Sequence, residues 1–493
     1  MATPDQVTPA GGLSAARSVR NGAVYATAAA FQRALTFLLL PLYTHALSPS
    51  EYGRLGVILM VTTAGAILFS LGLDFALFRN FFQLASDPSG QRRLVSSTWS
   101  FLIVASLGAA CVLSAVIAPW LPPDAIVRPT ELTVGLVGAA LFICATTVPL
   151  SLLRAQQRLR DYLVLNAISA GATAAFTLAL VVGFEMGVPG WLLAVLLANL
   201  VAVMSALWIV PWRWPRPFDQ HLVRGTLLLG LPLVPHFLGH WALQLADRAV
   251  LAGIVSTATL GVYTLAATLS LPALILVQGL GQGFMPTYAA AATSDVERSR
   301  LPSVVTLQVV GVLVICLVIA LLGPALVDIA APAAYHGAAP LIPWIVLGYA
   351  FLGLYGVPMM GLSLGMGRTQ FVWMATAVAA AVNLALVYAL VPAYGILAAA
   401  IASAIGYLML LLGVGWHSRS PLNPVRYEWS RLLRAVAVVA AVYTAATLTT
   451  GDTGIVNVLA RVAWLGVAAG GLVLSRSVPV DRIRAVVARR RLA

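Results

Sequence analysis

The chain has 493 residues, of which 60% are hydrophobic and only 9% are charged, and its mean hydropathy is +0.94. A soluble globular protein has about 25% charged residues, so this composition excludes the soluble classes and indicates a polytopic membrane protein. The formal net charge is +13. We attribute this excess to membrane topology and not to nucleic-acid binding, because basic residues concentrate on the cytoplasmic side of a membrane.

Hydropathy predicts an all-α fold of about fourteen membrane-spanning helices, each of roughly 20 residues. The polar segment 1–20 precedes them, and we expect it to be disordered and cytoplasmic. The apolar run that follows is too long for a secretory signal core and is therefore interpreted as the first span. The approximate limits of the predicted spans are 21–46, 54–78, 94–118, 132–153, 162–184, 189–211, 225–251, 259–289, 302–327, 338–365, 370–391, 395–416, 432–450 and 454–474.

The arginines indicate the orientation of these spans. With the N-terminus inside, the outside connections hold only Arg54, Arg128 and Arg248, and nearly all other loop arginines fall on the cytoplasmic side. This asymmetry follows the positive-inside rule, and it predicts two cytoplasmic termini, including the basic tail 475–493. The longest connection, 212–224, is basic and aromatic, as expected of a cytoplasmic linker at the membrane interface.

The chain also contains a weak internal duplication, with a shift of about 208 residues. When the sequence is aligned with itself at this shift, identical residues match in the first outside turn and in an inside loop. Ser48 aligns with Ser256, Gly53 with Gly261, and Arg160 with Arg368. Six spans per repeat give both halves the same orientation, so an axis along the membrane normal relates them. We therefore predict two pseudo-symmetric six-helix lobes, 21–211 and 225–416, with a substrate site at their interface. The segment 417–474 adds a linker and two extra helices.

Two spans carry polar side chains along one face, although each is long enough to cross a bilayer. At about 100° per residue, the stripe of the seventh span occupies roughly a quarter-turn and consists of His236, His240, Gln244 and Asp247, with Arg248 at its edge. The stripe of the first span consists of Asn21, Tyr25, Gln32, Thr36 and Tyr43, with Arg33 at its edge. Lipid would exclude such faces, so we expect them to face protein or a water-filled cavity.

Four segments carry a family resemblance: 35–57, which contains LPLYTHALSPSEYGRLGV, 71–82 (LGLDFALFRNFF), 229–266 and 365–406. They resemble the opening, the end of the second span, the seventh span and spans eleven and twelve of bacterial polysaccharide-biosynthesis flippases. The resemblance covers most of 15–416. It is specific to the multidrug/oligosaccharidyl-lipid/polysaccharide exporter superfamily, in the O-antigen and exopolysaccharide flippase branch.

This resemblance implies a V-shaped pair of six-helix bundles around a central cavity, lined by spans one and seven and working by alternating access. The implied cargo is a polyprenyl-pyrophosphate-linked oligosaccharide, moved from the cytoplasmic to the outer leaflet of the cell membrane for surface polysaccharide biosynthesis, without a cofactor. The implied partners are this substrate and the membrane lipids, with a polysaccharide polymerase and a chain-length regulator as further candidates.

The candidate substrate-binding residues come from the two polar stripes: Arg33, Gln32, Tyr25, Thr36, His236, His240 and Gln244. The guanidinium of Arg33 is suited to bidentate hydrogen bonds with phosphate. The alternative is a structural pairing of Arg33 with Asp74 or with backbone carbonyls. Amide and imidazole groups of the other residues suit sugar hydroxyls, and they equally suit bonds between helices.

Two further pairs of charged residues lie near helix ends. We interpret Asp247 and Arg248 as either an interfacial ion pair or a gate contact, and Asp74 with Arg79 as a helix-end contact or a proton site. His236 and His240 are too few to form a metal site by themselves. The cysteines Cys111, Cys144 and Cys316 lie inside apolar runs and lack metal-ligand spacing, so we interpret them as core residues.

The sequence contains no Walker A loop and no recognisable nucleophile–base pair, so we predict a transporter and no catalytic residues. Two alternatives remain open. A drug or cation antiporter of the same superfamily needs a cation site, usually a buried carboxylate. A membrane-embedded polymerase or ligase needs a long outside loop that carries catalytic Arg or His.

Overall fold

A computed structural model describes residues 37, 39–84, 86–122, 125–210, 218–365, 372–420, 423, 425–451 and 455–478. The regular secondary structure over these ranges is entirely helical. The α-helices are α1 (Leu40–Ala46), α2 (Pro49–Ser70), α3 (Leu73–Gln83), α4 (Pro88–Ile117), α5 (Pro129–Ala155), α6 (Leu159–Thr177), α7 (Gly187–Ile209), α8 (Gln220–Gly230), α9 (Val234–Leu245), α10 (Asp247–Ile254), α11 (Thr257–Thr293), α12 (Asp295–Ala330), α13 (Ile342–Met360), α14 (Val372–Tyr394), α15 (Ile396–His417), α16 (Trp429–Thr449) and α17 (Ile455–Leu474).

Among the described residues, 13 helical segments are long and apolar enough to cross a membrane. Each of them coincides with one of the predicted spans after the first, from Pro49–Gln83 to Val456–Leu474. The predicted first span, 21–46, lies largely outside the described residues. The prediction of an all-α polytopic membrane protein with about fourteen helices is confirmed.

The seventh span is divided into shorter helices. The 3-10 segment Leu231–Leu233 separates α8 from α9, and the single residue Ala246 separates α9 from α10. Pro232 and Pro235 lie at the first of these breaks, where each lacks the backbone N–H that a continuous helix needs.

The segment 212–224 was predicted to be a linker. The structure instead begins α8 at Gln220, and the side chain of Asp219 caps it by accepting a hydrogen bond from the Leu222 N–H at 3.1 Å.

The first of two compact units comprises the described residues within 1–46 and 61–235. Within its described part, α4 packs on α5, α6 and α5 pack on α7, and α8 packs against α3 and α4. The amide of Asn80 donates to the Thr226 hydroxyl at 3.1 Å, which links α3 to α8. At the start of α3, Gly72 has φ 66°, and a Cβ there would overlap the backbone of Gly230. Only glycine adopts this positive φ without strain and leaves room for the Gly230 backbone.

The second unit comprises residues 47–60 and 236–493. Within it α15 packs on α13 and α14, α11 and α12 pack on each other and on α13, and α16 and α17 pack against α12. The guanidinium of Arg461 in α17 donates to the Leu321 carbonyl (3.1 Å), the Gly451 carbonyl (3.0 Å) and the Thr450 hydroxyl (3.2 Å). The two extra C-terminal helices are therefore attached to the second unit.

The boundaries of these units differ from those of the predicted lobes, 21–211 and 225–416. The chain changes unit inside α2, after Met60, and inside α9, after Pro235. The reason is packing: α8 contacts α3 and α4 of the first unit, although the sequence repeat assigns it to the second half.

Candidate functional site

A column of polar side chains runs along α9 in the second unit. His236, His240 and Gln244 follow one another at intervals of four residues, which places them on one helix face. His236 is exposed, and the other two are half-buried. Among the residues that the structure describes, none of these three side chains has a hydrogen-bond partner.

A second exposed polar pair lies on α11 of the same unit. Gln278 and Gln282 are also four residues apart, and both are exposed. Neither amide is hydrogen-bonded to any described part of the chain. An unpaired amide or imidazole facing hydrocarbon costs several kcal/mol, so these helix faces require a wet or ligand-filled space.

Asp247 and Arg248 form a buried network at the start of α10. Their exposed fractions are 3% and 7%, and the guanidinium donates to the carboxylate at 3.0 Å. The other carboxylate oxygen accepts a hydrogen bond from the Tyr263 hydroxyl. The guanidinium also donates to the Gln244 carbonyl at 3.1 Å and lies 5.7 Å from the Tyr263 ring centroid. Of the two sequence-based interpretations, these contacts favour a structural ion pair that joins α10 to α11.

The aromatic residues of this network were not identified from the sequence. The rings of Tyr349 and Tyr407 lie 6.2 Å apart, and the Tyr407 hydroxyl donates to the Leu243 carbonyl at 3.4 Å. Both tyrosines are buried. The sequence signal that could have identified them is a tyrosine inside an apolar span, because a buried phenol needs a hydrogen-bond partner.

The other predicted site residues are separate from this network. Asp74 is half-buried and Arg79 is exposed, both in α3 of the first unit. They lie five positions apart, on different faces of the helix, and they form no ion pair with each other. The remaining candidates, Tyr25, Gln32, Arg33 and Thr36, lie outside the described residues.

Most of the other amides inside the spans bond to protein. Asn199 donates to the Gly138 carbonyl at 3.0 Å, and Asn383 donates to the Ser403 hydroxyl at 3.2 Å. Gln308 accepts a hydrogen bond from the Tyr288 hydroxyl at 2.7 Å. Such bonds between helices are a structural use of polar residues in membranes, and they distinguish these amides from the exposed ones of α9 and α11.

The sequence profile of the family described as polysaccharide biosynthesis protein matches residues 18–291, more than half of the chain. The chain belongs to this family. The predicted membership of a polysaccharide-biosynthesis family is confirmed. No curated protein matches the chain significantly.

Solved structures share the fold of this polysaccharide biosynthesis family member. The lipid II flippase MurJ, in an inward closed conformation, aligns with a TM-score of 0.70 and 13% identity over 93% of this chain and 99% of that chain. A multidrug resistance MATE family transporter of the MOP superfamily, in an inward-facing conformation, aligns with a TM-score of 0.62 and 15% identity over 78% of this chain and 93% of that chain. A multidrug resistance MATE family transporter in an outward-facing conformation aligns with a TM-score of 0.53 and 16% identity, over 81% of this chain and 93% of that chain. The shared fold and the 13 apolar helices among the described residues indicate a multi-pass membrane protein.

Proposed function

We propose that this protein is a flippase that moves a polyprenyl-pyrophosphate-linked oligosaccharide from the cytoplasmic to the outer leaflet of the cell membrane by alternating access. The family is one of polysaccharide biosynthesis, and the structurally similar MurJ is described as a lipid II flippase. Both support a cargo in which a hydrophilic head is attached to a lipid.

The observation that carries this proposal is the set of exposed or half-buried polar side chains on α9 and α11 that have no hydrogen-bond partner among the described residues. Imidazole and amide groups provide both donors and acceptors, which suits a sugar with many hydroxyls. In our proposal His236, His240 and Gln244 contact the sugars, together with Gln278 and Gln282. Arg33, Gln32, Tyr25 and Thr36 of the first span remain candidates for the same role, with Arg33 binding the phosphates.

A drug or cation antiporter is the less favoured function. It requires an available carboxylate inside the spans. Asp247 is buried, but its two oxygens already accept hydrogen bonds from Arg248 and Tyr263. Glu131 is also buried, and it accepts the Arg128 N–H at 3.0 Å at the start of α5. These partners weigh against a cation site at either acid, and the half-buried Asp74 of α3 is the candidate that an antiporter would then need.

The proposal is tested in vesicles that contain the purified protein and a fluorescent polyprenyl-pyrophosphate oligosaccharide. The fraction of sugar that a membrane-impermeant oxidant reaches reports the movement between leaflets. We expect the double variant His236→Leu, Gln278→Leu to move the sugar about tenfold more slowly, because two neutral hydrogen bonds contribute about 1–3 kcal/mol. Its thermal unfolding should match that of the wild type, because neither side chain bonds to described protein.

The matched control is His221→Leu, an equally exposed histidine on α8 of the first unit, which should leave the rate unchanged. A double variant with the wild-type rate would remove α9 and α11 from the substrate route. Failure of the wild type to move the sugar, together with movement of a fluorescent organic cation, would favour the antiporter.

A further inference from the structure

A large cavity lies in the second unit where α15 ends and α16 begins. Its volume is about 1040 Å³. Side chains from four helices form apolar walls, among them Val309 of α12, Val357 of α13, Leu411 of α15 and Leu432 of α16. It is distinct from the polar faces of α9 and α11, because none of their residues lines it. Its size and walls suit an apolar ligand.

Two arginines line the same cavity on the connection between α15 and α16. Arg419 and Arg426 are both exposed, and neither guanidinium has an ion-pair or hydrogen-bond partner in the described chain. Arg419 lies over the ring of Trp416, 5.0 Å from its centroid, which orients the guanidinium. No carboxylate is among the described lining residues, so the cavity carries uncompensated positive charge.

Aromatic side chains lie beside these arginines. The rings of Tyr427 and Trp429 lie 5.1 Å apart, and both line the cavity. Burial raises the pKa of Tyr427 to about 12, so its phenol stays protonated and can donate a hydrogen bond. Tryptophan and tyrosine favour the level of the lipid headgroups, which places this part of the cavity at the membrane interface.

The apolar part of the cavity continues along α16. A second cavity, of about 340 Å³, shares Val436 with the first. Its lining is almost entirely apolar and includes Leu317 of α12, Trp344 of α13 and Tyr443 of α16. From Val436 to Tyr443 the helix rises about 10 Å at 1.5 Å per residue. The two cavities therefore adjoin at Val436, and we refer to them together as one groove, which is basic at one end and apolar along α16.

We propose that this groove binds an anionic phospholipid, with its phosphate at Arg419 and Arg426 and an acyl chain along α16 over Val436. Guanidinium groups form strong charge-assisted bonds with phosphate, and basic pockets between membrane helices on the cytoplasmic side bind anionic headgroups. A free phosphate would account for the arginines but leave the apolar groove empty. A neutral lipid would fill the groove but leave the arginines unpaired.

Native mass spectrometry of the full chain tests this proposal, after exchange into vesicles of phosphatidylcholine mixed with phosphatidylglycerol. We expect phosphatidylglycerol to stay bound in preference to phosphatidylcholine. Arg419→Ala and Arg426→Ala should each weaken its binding about fivefold, since one basic residue contributes about 1 kcal/mol near an anionic surface. Val436→Trp should abolish acyl-chain binding by filling the groove from an exposed position.

Arg224→Ala is the matched control for charge, because Arg224 is an exposed arginine on α8 that bonds to no described residue, and this variant should retain the lipid. Equal retention of phosphatidylcholine, equal loss in Arg224→Ala, or displacement by inorganic phosphate alone would each overturn the proposal. So would preferential retention of a polyprenyl phosphate, which would identify the groove as part of the substrate route.

Discussion

Gly53 and Gly261 contact each other backbone to backbone where α2 crosses α11 in the second unit. A Cβ on either glycine would lie 3.0 Å from the backbone nitrogen of the other. The contact is also reciprocal. A Cβ on Gly53 would overlap the carbonyl oxygen of Thr257, and one on Gly261 would overlap that of Pro49. These pairs are related by the same shift of about 208 residues that relates the two sequence repeats.

The repeat therefore places equivalent residues opposite each other, as expected at a pseudo-twofold axis. The same shift relates Gly56 to Thr264, and a Cβ on Gly56 would overlap the Thr264 side chain. Small residues allow membrane helices to approach closely. Because the sequence assigns this turn to the outside, we infer that the crossing holds the outer ends of α2 and α11 together in this conformation.

Substitution of Gly53 or Gly261 by alanine should separate the two helices. We expect each variant to lose about 1–3 kcal/mol of stability from overpacking, measured as a lower midpoint of thermal unfolding in detergent. Gly279→Ala is the control on α11, because a Cβ at that position meets no atom within 4 Å. An unchanged midpoint for both Gly53→Ala and Gly261→Ala would contradict the tight crossing.

Asp247→Asn should destabilise the protein by about 3–5 kcal/mol, because it leaves the buried Arg248 without a counter-charge. The triple change Asp247→Leu, Arg248→Met, Tyr263→Phe removes all three polar partners together and should cost much less. Thermal unfolding of both variants measures the difference. As a control, Asp295→Asn alters an exposed ion pair with Arg298 (3.3 Å, Asp295 94% exposed) and should change stability by less than about 1 kcal/mol. A mild effect of Asp247→Asn would refute the structural role.

Arg461→Met should detach α17 from its neighbours. The substitution leaves the buried Leu321 carbonyl without the donor that it has in the structure, at a cost of about 1–3 kcal/mol. It also removes the bond to the carbonyl of the exposed Gly451. We expect faster proteolysis of the α16–α17 region and a lower unfolding midpoint. Arg431→Met on α16, whose ion pair with Glu428 stays at the start of the same helix, should have a smaller effect, and equal effects would argue against this anchoring role.

Cysteine labelling should place Ser256 and Ser299 on opposite sides of the membrane, because they flank α11 and are both exposed. In a Cys111→Ala background, which removes the exposed native cysteine, a membrane-impermeant thiol reagent added outside should label Ser256→Cys and spare Ser299→Cys. The reverse pattern would invert the topology predicted from the arginines.

Several features of the site were predictable because they depend on local order along the chain. The four-residue spacing of His236, His240 and Gln244 predicts one helix face, and α9 is helical over all three. The sequence did not distinguish the exposed amides Gln278 and Gln282 from the bonded Asn199 and Asn383. That difference depends on which neighbouring helix each residue meets.

The sequence by itself determined the membrane class, the number of spans and the repeat, because hydropathy is a sum over consecutive residues and lipid acts on each span separately. Only the tertiary structure decided the hydrogen-bond partners of buried charges and the position of the cavities. The Arg461 guanidinium and its Leu321 acceptor lie 140 positions apart, and no local pattern encodes their contact. The same holds for the unit boundaries, which follow the packing of α8 on α3 and α4 and not the order of the repeat.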